Sequence, residues 1–145
     1  MTKPSLSLAH ASGLERLIDA NLNRLGEGIR VIEDINRYIH NSKTITNQLK
    51  SLRHKLQQAH SIDRVIHRDI INDVQKNSTS SELTRLSLND LIIANFLRTQ
   101  ESSRVLEESF KLKDVKLSEL FKSIRYELYE LESIYFDEHR EDISE

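Results

Sequence analysis

Residues Ala20–Asp34 read ANLNRLGEGIRVIED, and residues Ala94–Glu108 read ANFLRTQESSRVLEE. Laid together without a gap, the two stretches share Ala20/Ala94, Asn21/Asn95, Arg24/Arg98, Glu27/Glu101, Arg30/Arg104, Val31/Val105 and Glu33/Glu107. Chance does not set Asn, Arg, Glu, Arg and Glu at one three-residue spacing twice in so short a chain. The stretch is duplicated, and polar residues are what the duplication kept. Working outward, a second pair of segments also matches, LKSLRHKL (Leu49–Leu56) against FKSIRYEL (Phe121–Leu128), so Arg53 corresponds to Arg125. The repeating unit is a whole helical hairpin. Two such hairpins pack most simply as an all-α four-helix bundle with pseudo-two-fold symmetry, joined by a long linker.

Helical periodicity supports this reading. Ser12 and Glu15 have capping-box spacing, and Leu14, Leu17, Ile18, Leu25, Ile29, Ile32, Ile35 and Ile39 then recur on one stripe to about His40. Glu15, Asp19, Arg30, Glu33 and Arg37 fall roughly opposite. Gly26 and Gly28 interrupt this helix, each at a cost of about 1 kcal/mol relative to alanine, so a close helix or a ligand is expected beside them. A second helix is expected over about Ile45 to His60. A third runs from the Ser87/Asp90 capping box to about Leu112, with Asn95, Thr99, Ser102 and Ser109 in the centre of its stripe. A fourth spans about 117 to 136. The domain division is therefore a lead-in (1–11), a first hairpin (12–60), a linker (61–86), a second hairpin (87–136) and an acidic tail (137–145). Within the linker, residues 77–81 are a loop on composition alone.

Bulk composition narrows the function. The chain has 145 residues, enough for one core, and three glycines and one proline argue against a turn-rich β fold. A net charge of −2 argues against nucleic-acid binding by bulk attraction. The absence of cysteine excludes disulfides, thiolate metal sites and cysteine nucleophiles. No apolar run approaches a membrane span and no signal-peptide core stands out, so a cytoplasmic location is expected. The six histidines show no His-Glu-x-x-His pattern, and no G-x-x-x-x-G-K-[ST] phosphate loop occurs.

The polar residues then need a reason. Arg30, Glu33, Arg104 and Glu107 project away from the main stripes and fit surface ion pairs, helix packing or a dimer contact. Asn21, Arg24 and Arg53, with Asn95, Arg98 and Arg125, lie on or beside buried faces, where an arginine needs a partner. Four arginines converging with two asparagines suit phosphate or carboxylate oxygens. Asp69 and Asp73 lie in a linker segment dense in Arg and Asp. They are candidates to hold a divalent metal or to take a proton from a hydroxyl, or else to cap turns.

The ordered set Asn21-x-x-Arg24-x-x-Glu27-x-x-Arg30-Val31-x-Glu33-Asp34, Leu52-Arg53-His54, Arg68-Asp69-x-x-x-Asp73-Val74, Asn95-x-x-Arg98-x-Gln100-Glu101-x-x-Arg104 and Arg125-Tyr126 resembles a known family. It is similar to the monofunctional hydroxymethylpyrimidine phosphate kinases of thiamine biosynthesis, the small helical domain often fused in front of thiamine-phosphate synthase and also found alone. The resemblance covers about Leu14 to Glu132, and the synthase barrel is absent. It implies phosphorylation of 4-amino-5-hydroxymethyl-2-methylpyrimidine phosphate to the diphosphate, with ATP and Mg²⁺. Under it, Arg24, Arg53, Arg98 and Arg125 would take phosphate groups, with Arg68 and Glu101 as further substrate-binding residues. Asn21 and Asn95 would bond the aminopyrimidine or a phosphate. Asp69 or Asp73 would be catalytic, with Asp73 the expected metal ligand. The implied partners are the pyrimidine phosphate, thiamine-phosphate synthase and a second copy of the chain, with neither nucleic acid nor membrane. One departure stands out: Gln75 follows the Asp-Val pair where the family usually has glycine. Two other readings fit the same residues, a non-catalytic bundle that docks on thiamine-phosphate synthase and a chorismate-mutase-like all-α enzyme whose similarity covers one helix only.

Overall fold

The computed structural model describes residues 6–76 and 84–140. The loop expected at residues 77–81 lies outside them. Four main helices, α1 (Leu8–Asp34), α2 (Lys43–Lys55), α3 (Leu88–Phe110) and α4 (Val115–Glu138), build an all-α bundle, with no strand among the described residues. The helices α1 and α3 form the central pair. The helix α2 flanks α1, α4 flanks α3, and the two outer helices barely touch one another. Ile18, Leu25, Ile29 and Ile32 of α1 close the core against Ile92, Phe96 and Leu106 of α3, with Phe110 and Phe121 stacked face to face at 5.5 Å.

The helix termini follow from local chemistry. The helix α1 begins at Leu8, inside the expected lead-in, because Ser7 caps it by accepting the His10 N–H at 3.1 Å. Ser12 is therefore helical, and its hydroxyl bonds His67 Nδ1 at 2.7 Å instead. The Ser87 cap of α3 forms as expected, accepting from the Asp90 N–H at 3.0 Å. Asp114 caps α4 through the N–H groups of Lys116 and Leu117. At its far end α1 loosens into a π turn (Ile35–Ile39), and Asn41 (φ 53°) turns the chain into α2. The helix α2 tightens into a 3₁₀ turn (Leu56–Ala59), and a further 3₁₀ segment (Ile62–His67) opens the linker.

The two interrupting glycines have separate reasons. A Cβ on Gly28 would stand 2.7 Å from Thr99 Cγ2 and 3.5 Å from the Asn95 carbonyl oxygen, so Gly28 is where α1 and α3 approach most demandingly. Gly26 meets only Leu56 Cδ1, at an ordinary 3.7 Å, and sits at the floor of an open groove. The polar centre of α3 has the same explanation as Gly28. Thr99, Ser102, Ser103 and Ser109 are buried, and each hydroxyl donates to a carbonyl of its own helix, which satisfies it while keeping the surface shallow. Gly28→Ala is accordingly expected to lower the melting temperature. Overpacking costs about 1–3 kcal/mol, more than the gain of about 1 kcal/mol in helix propensity. Adding Thr99→Ser, which deletes only Cγ2, is expected to restore stability. A loss that Thr99→Ser leaves uncorrected would contradict this packing.

One sequence expectation is reversed. Glu33 and Glu107 do not project into solvent but are 3% and 5% exposed. Arg53 grips Glu33 through Nε and Nη2 at 3.0 and 3.3 Å, and Arg125 grips Glu107 through the same two nitrogens at 3.1 and 2.9 Å. Arg30 and Arg104 approach the same carboxylates from outside, at 3.5 and 3.4 Å. The kept Arg-x-x-Glu pattern is thus a clamp tying the outer helix of each hairpin to the inner one. The helix α1 is covered on two sides, which a single-stripe reading misses.

Candidate functional site

The linker leaves α2 and returns along α1, strapped to it by side chains. Arg64 is buried. Its Nε donates to Glu15 at 2.7 Å, its Nη1 donates to the Ala59 carbonyl, and its guanidinium carbon lies 5.6 Å from the Phe110 ring centre. Glu15 also pairs with Lys113. Burial works against ionisation of Glu15, but the bonds and charges of Lys113 and Arg64 outweigh it and hold the carboxyl below its ordinary range. Farther along, Arg68 donates through Nε and Nη2 to both carboxylate oxygens of Asp19, each at 2.9 Å, and Arg16 Nη2 donates to the Asp69 carbonyl at 2.8 Å.

Between the strapped linker and α1 lies a cavity of about 420 Å³. Its α1 wall is Gly13, Arg16, Leu17, Asp19, Ala20, Asn23 and Arg24, and its linker wall is Arg68, Asp69, Ile70 and Asp73. Four of the residues expected from sequence therefore meet here: Arg24, Arg68, Asp69 and Asp73. Leu17, expected to pack, is 40% exposed at the rim. Sequence reasoning missed Arg16, Asp19 and Asn23. The signal was present as a face of small and polar residues at 13, 16, 20 and 23–24, at helical spacing, beside the apolar stripe.

The two aspartates differ. Asp69 accepts the Asn72 side-chain amide at 2.6 Å and the Asn72 N–H at 3.1 Å, and these bonds lower its pKa below the ordinary 3.8. It is a turn-forming, firmly ionised carboxylate. Asp73 is exposed and, among the described residues, accepts only the Gln75 N–H, at 2.9 Å, through Oδ1. Asn41 is the one non-glycine residue with positive φ among the described residues, so Gln75 needs no glycine conformation. No cluster of three or more potential metal ligands occurs among the described residues. Asp69 and Asp73 are the linker carboxylates of this cavity that could hold a divalent cation.

The remaining expected residues do not line this cavity, and the four arginines do not converge. Arg53 and Arg125 are committed to Glu33 and Glu107. Buried Asn21 and Asn95 each donate back to their own helix, to the carbonyls of Leu17 and Leu91 at 2.9 and 2.8 Å, and Asn21 Oδ1 accepts from Arg24 Nη1 at 3.3 Å. Asn21 thus orients Arg24 from beneath. Arg98 and Glu101 are exposed on α3, with Arg98 Cδ beside Gly28. No helix among the described residues is long and apolar enough to cross a membrane.

Residues 16–134 match the model of the ThiD2 family. The chain belongs to the ThiD2 family. Its curated relatives include proteins named thiamine-phosphate synthase. That of Synechocystis is 37% identical over 126 residues, covering 86% of this chain and 37% of the relative. That of Thermosynechococcus vestitus is 40% identical over 120 residues (82% and 34%), and that of Rhodopirellula baltica is 39% identical over 119 residues (79% and 32%). The chain spans about a third of the length of these relatives. No solved structure matches. Family membership agrees with the resemblance read from the sequence at the level of the helical domain.

Proposed function

We propose that this ThiD2-family chain acts in thiamine biosynthesis as a phosphotransferase, carrying a phosphoryl group from ATP to hydroxymethylpyrimidine phosphate. The observation that carries this reading is the α1/linker cavity, where Arg16 and Arg24 of α1 face Arg68, Asp69 and Asp73 of the linker, with Asp19 and Asn23 also in its wall. Phosphoryl transfer needs charge neutralisation and positioning more than covalent chemistry, and such a set supplies both. Arg24, held by Asn21, and Arg68, held by Asp19, bind phosphate oxygens. Arg16 fixes the linker through the Asp69 carbonyl, so the linker wall keeps its distance from α1. Asp73, whose Oδ2 accepts no hydrogen bond from the described residues, takes the proton of the attacking hydroxyl. Asp69, with its lowered pKa, is a weaker base and suits a cation. A magnesium ion, when bound, would neutralise phosphate charge as it builds. The relatives carry a region like this chain as about a third of their length, which supports transfer of the diphosphate to a fused or docked synthase.

The test is kinetic. With ATP, Mg²⁺ and the pyrimidine monophosphate, Arg68→Ala is expected to lower kcat/KM by about tenfold or more, the worth of one charged hydrogen bond. Arg68→Lys should recover only part of it, because a lysine cannot reproduce the two-pronged hold on Asp19. A kcat/KM unchanged in Arg68→Ala would remove this cavity from the reading.

A further inference from the structure

The duplication provides an internal comparison that points to a second ligand site. A groove of about 500 Å³ lies between α1 and α2, floored by Gly26, Val31 and Leu56 and rimmed by Arg30, Arg53 and His60. In the second hairpin the same places are filled. Gln100 stands where the first has Gly26, Tyr129 where it has Gln57, and Glu132 where it has His60. The Gln100 side-chain amide donates to Glu132 Oε1 at 3.1 Å, bridging inner and outer helices across the position of the groove. The Tyr129 ring lies 5.8 Å from the Arg125 guanidinium carbon. The burial of the clamp arginines records the difference: the Arg125 side chain is 10% exposed, the Arg53 side chain 27%.

One scaffold with one set of kept residues thus carries a tyrosine ring beside the clamp arginine in one half and an open groove in the other. We propose that the α1/α2 groove is a binding site for a planar heteroaromatic ring bearing phosphate, a nucleoside phosphate. The ring takes beside Arg53 the place that Tyr129 takes beside Arg125. Arginine favours such a neighbour, since guanidinium attracts the face of a ring. The bonds to Glu33 use Nε and Nη2 of Arg53 and leave Nη1 for the ligand. Arg30, 54% exposed, and His60 supply further hydrogen-bond donors to the ligand at the rim. Glu27, on the side of the groove nearer Arg24, can accept only from hydroxyl or amino groups, so it suits a sugar. Asn23, on the wall of the α1/linker cavity, lies one turn of α1 before Gly26 and Glu27, so cavity and groove follow each other along one face of the helix. A nucleotide seated here therefore extends its phosphates along α1 toward Asp69 and Asp73. The identification of this ligand as the phosphoryl donor rests on the proposed function; the groove itself does not.

The experiment converts the open half into the closed one. Gly26→Gln with Gln57→Tyr writes the second hairpin's residues into the first without changing charge. The fold should survive, because a Cβ at Gly26 meets only Leu56 at ordinary contact distance, the open groove can take the rest of the side chain, and glutamine improves helix propensity. By calorimetry, the unaltered protein is expected to bind ADP, and the double variant to bind it about tenfold or more weakly, close to the size expected for a lost buried contact. The pyrimidine monophosphate should bind both proteins alike. No ADP binding by the unaltered protein, equal ADP binding by the two, or equal loss of both ligands in a folded variant would each overturn the proposal. ADP binding that the variant loses, in a protein without turnover, would uphold the groove and count against the phosphotransferase reading alone.

Discussion

Glu107→Ala is expected to destabilise the protein by about 3–5 kcal/mol, because it strands a buried arginine without its counter-charge. Arg125 is 8% exposed, and both nitrogens it offers to α3 end on Glu107 Oε1. Bonding to Tyr129 and then Glu107, set against desolvation, keeps the guanidinium protonated more firmly than usual. Once Glu107 is gone, Arg125 cannot shed its charge and has little water to turn to. The drop in melting temperature should be on the order of 10 °C for a domain of this size. Glu33→Ala is expected to cost less, since Arg53 is more open to solvent and can rehydrate. Replacing Glu107 and Arg125 together by leucine and methionine should recover much of the loss, because the charge and its counter-charge leave together. Urea denaturation checks all three. A loss below about 1 kcal/mol for Glu107→Ala would place this pair among ordinary surface ion pairs.

Asp73→Asn is expected to lower kcat by about 10²–10⁴-fold, the usual worth of a positioned proton acceptor. The fold should be untouched, because among the described residues the exposed Asp73 side chain makes a single hydrogen bond, to the Gln75 N–H, that an asparagine oxygen can also accept. Asp69→Asn should behave differently. Its carboxylate organises the turn through Asn72, so the substitution disturbs the linker wall and raises KM more than it lowers kcat. Single-turnover kinetics with substrate saturating separates the two. A kcat in Asp73→Asn within about twofold of the parent would take Asp73 out of the chemistry.

The hairpin duplication was legible because Asn21/Asn95 and Arg53/Arg125 keep their spacing, and the bundle follows from that and from helical periodicity. The start of α1 differs from the Ser12 reading because Ser7 caps the helix earlier, while the Ser12 hydroxyl bonds His67 instead. The clamp was misread for a deeper reason. A helical wheel drawn from one apolar stripe cannot anticipate that α2 covers the other side of α1 and buries Glu33. Asp69, Asp73, Arg24 and Arg68 were found as chemistry-bearing residues, but not which of the arginines they would meet. That depends on how the linker returns along α1, and Arg64, Arg68 and Arg16 fix it through contacts 49 to 53 residues apart in sequence. The choice of half also needed the structure. The polar stripe of α3 invites a substrate, yet its hydroxyls are spent on their own helix.

The most direct measurement follows the isolated chain by phosphorus NMR in the presence of ATP, Mg²⁺ and hydroxymethylpyrimidine phosphate. The account predicts that ADP and the pyrimidine diphosphate appear together and in equal amounts, and that the Asp73→Asn chain produces neither at a comparable rate. A pyrimidine monophosphate that binds the chain but stays unchanged while ATP remains intact would contradict it.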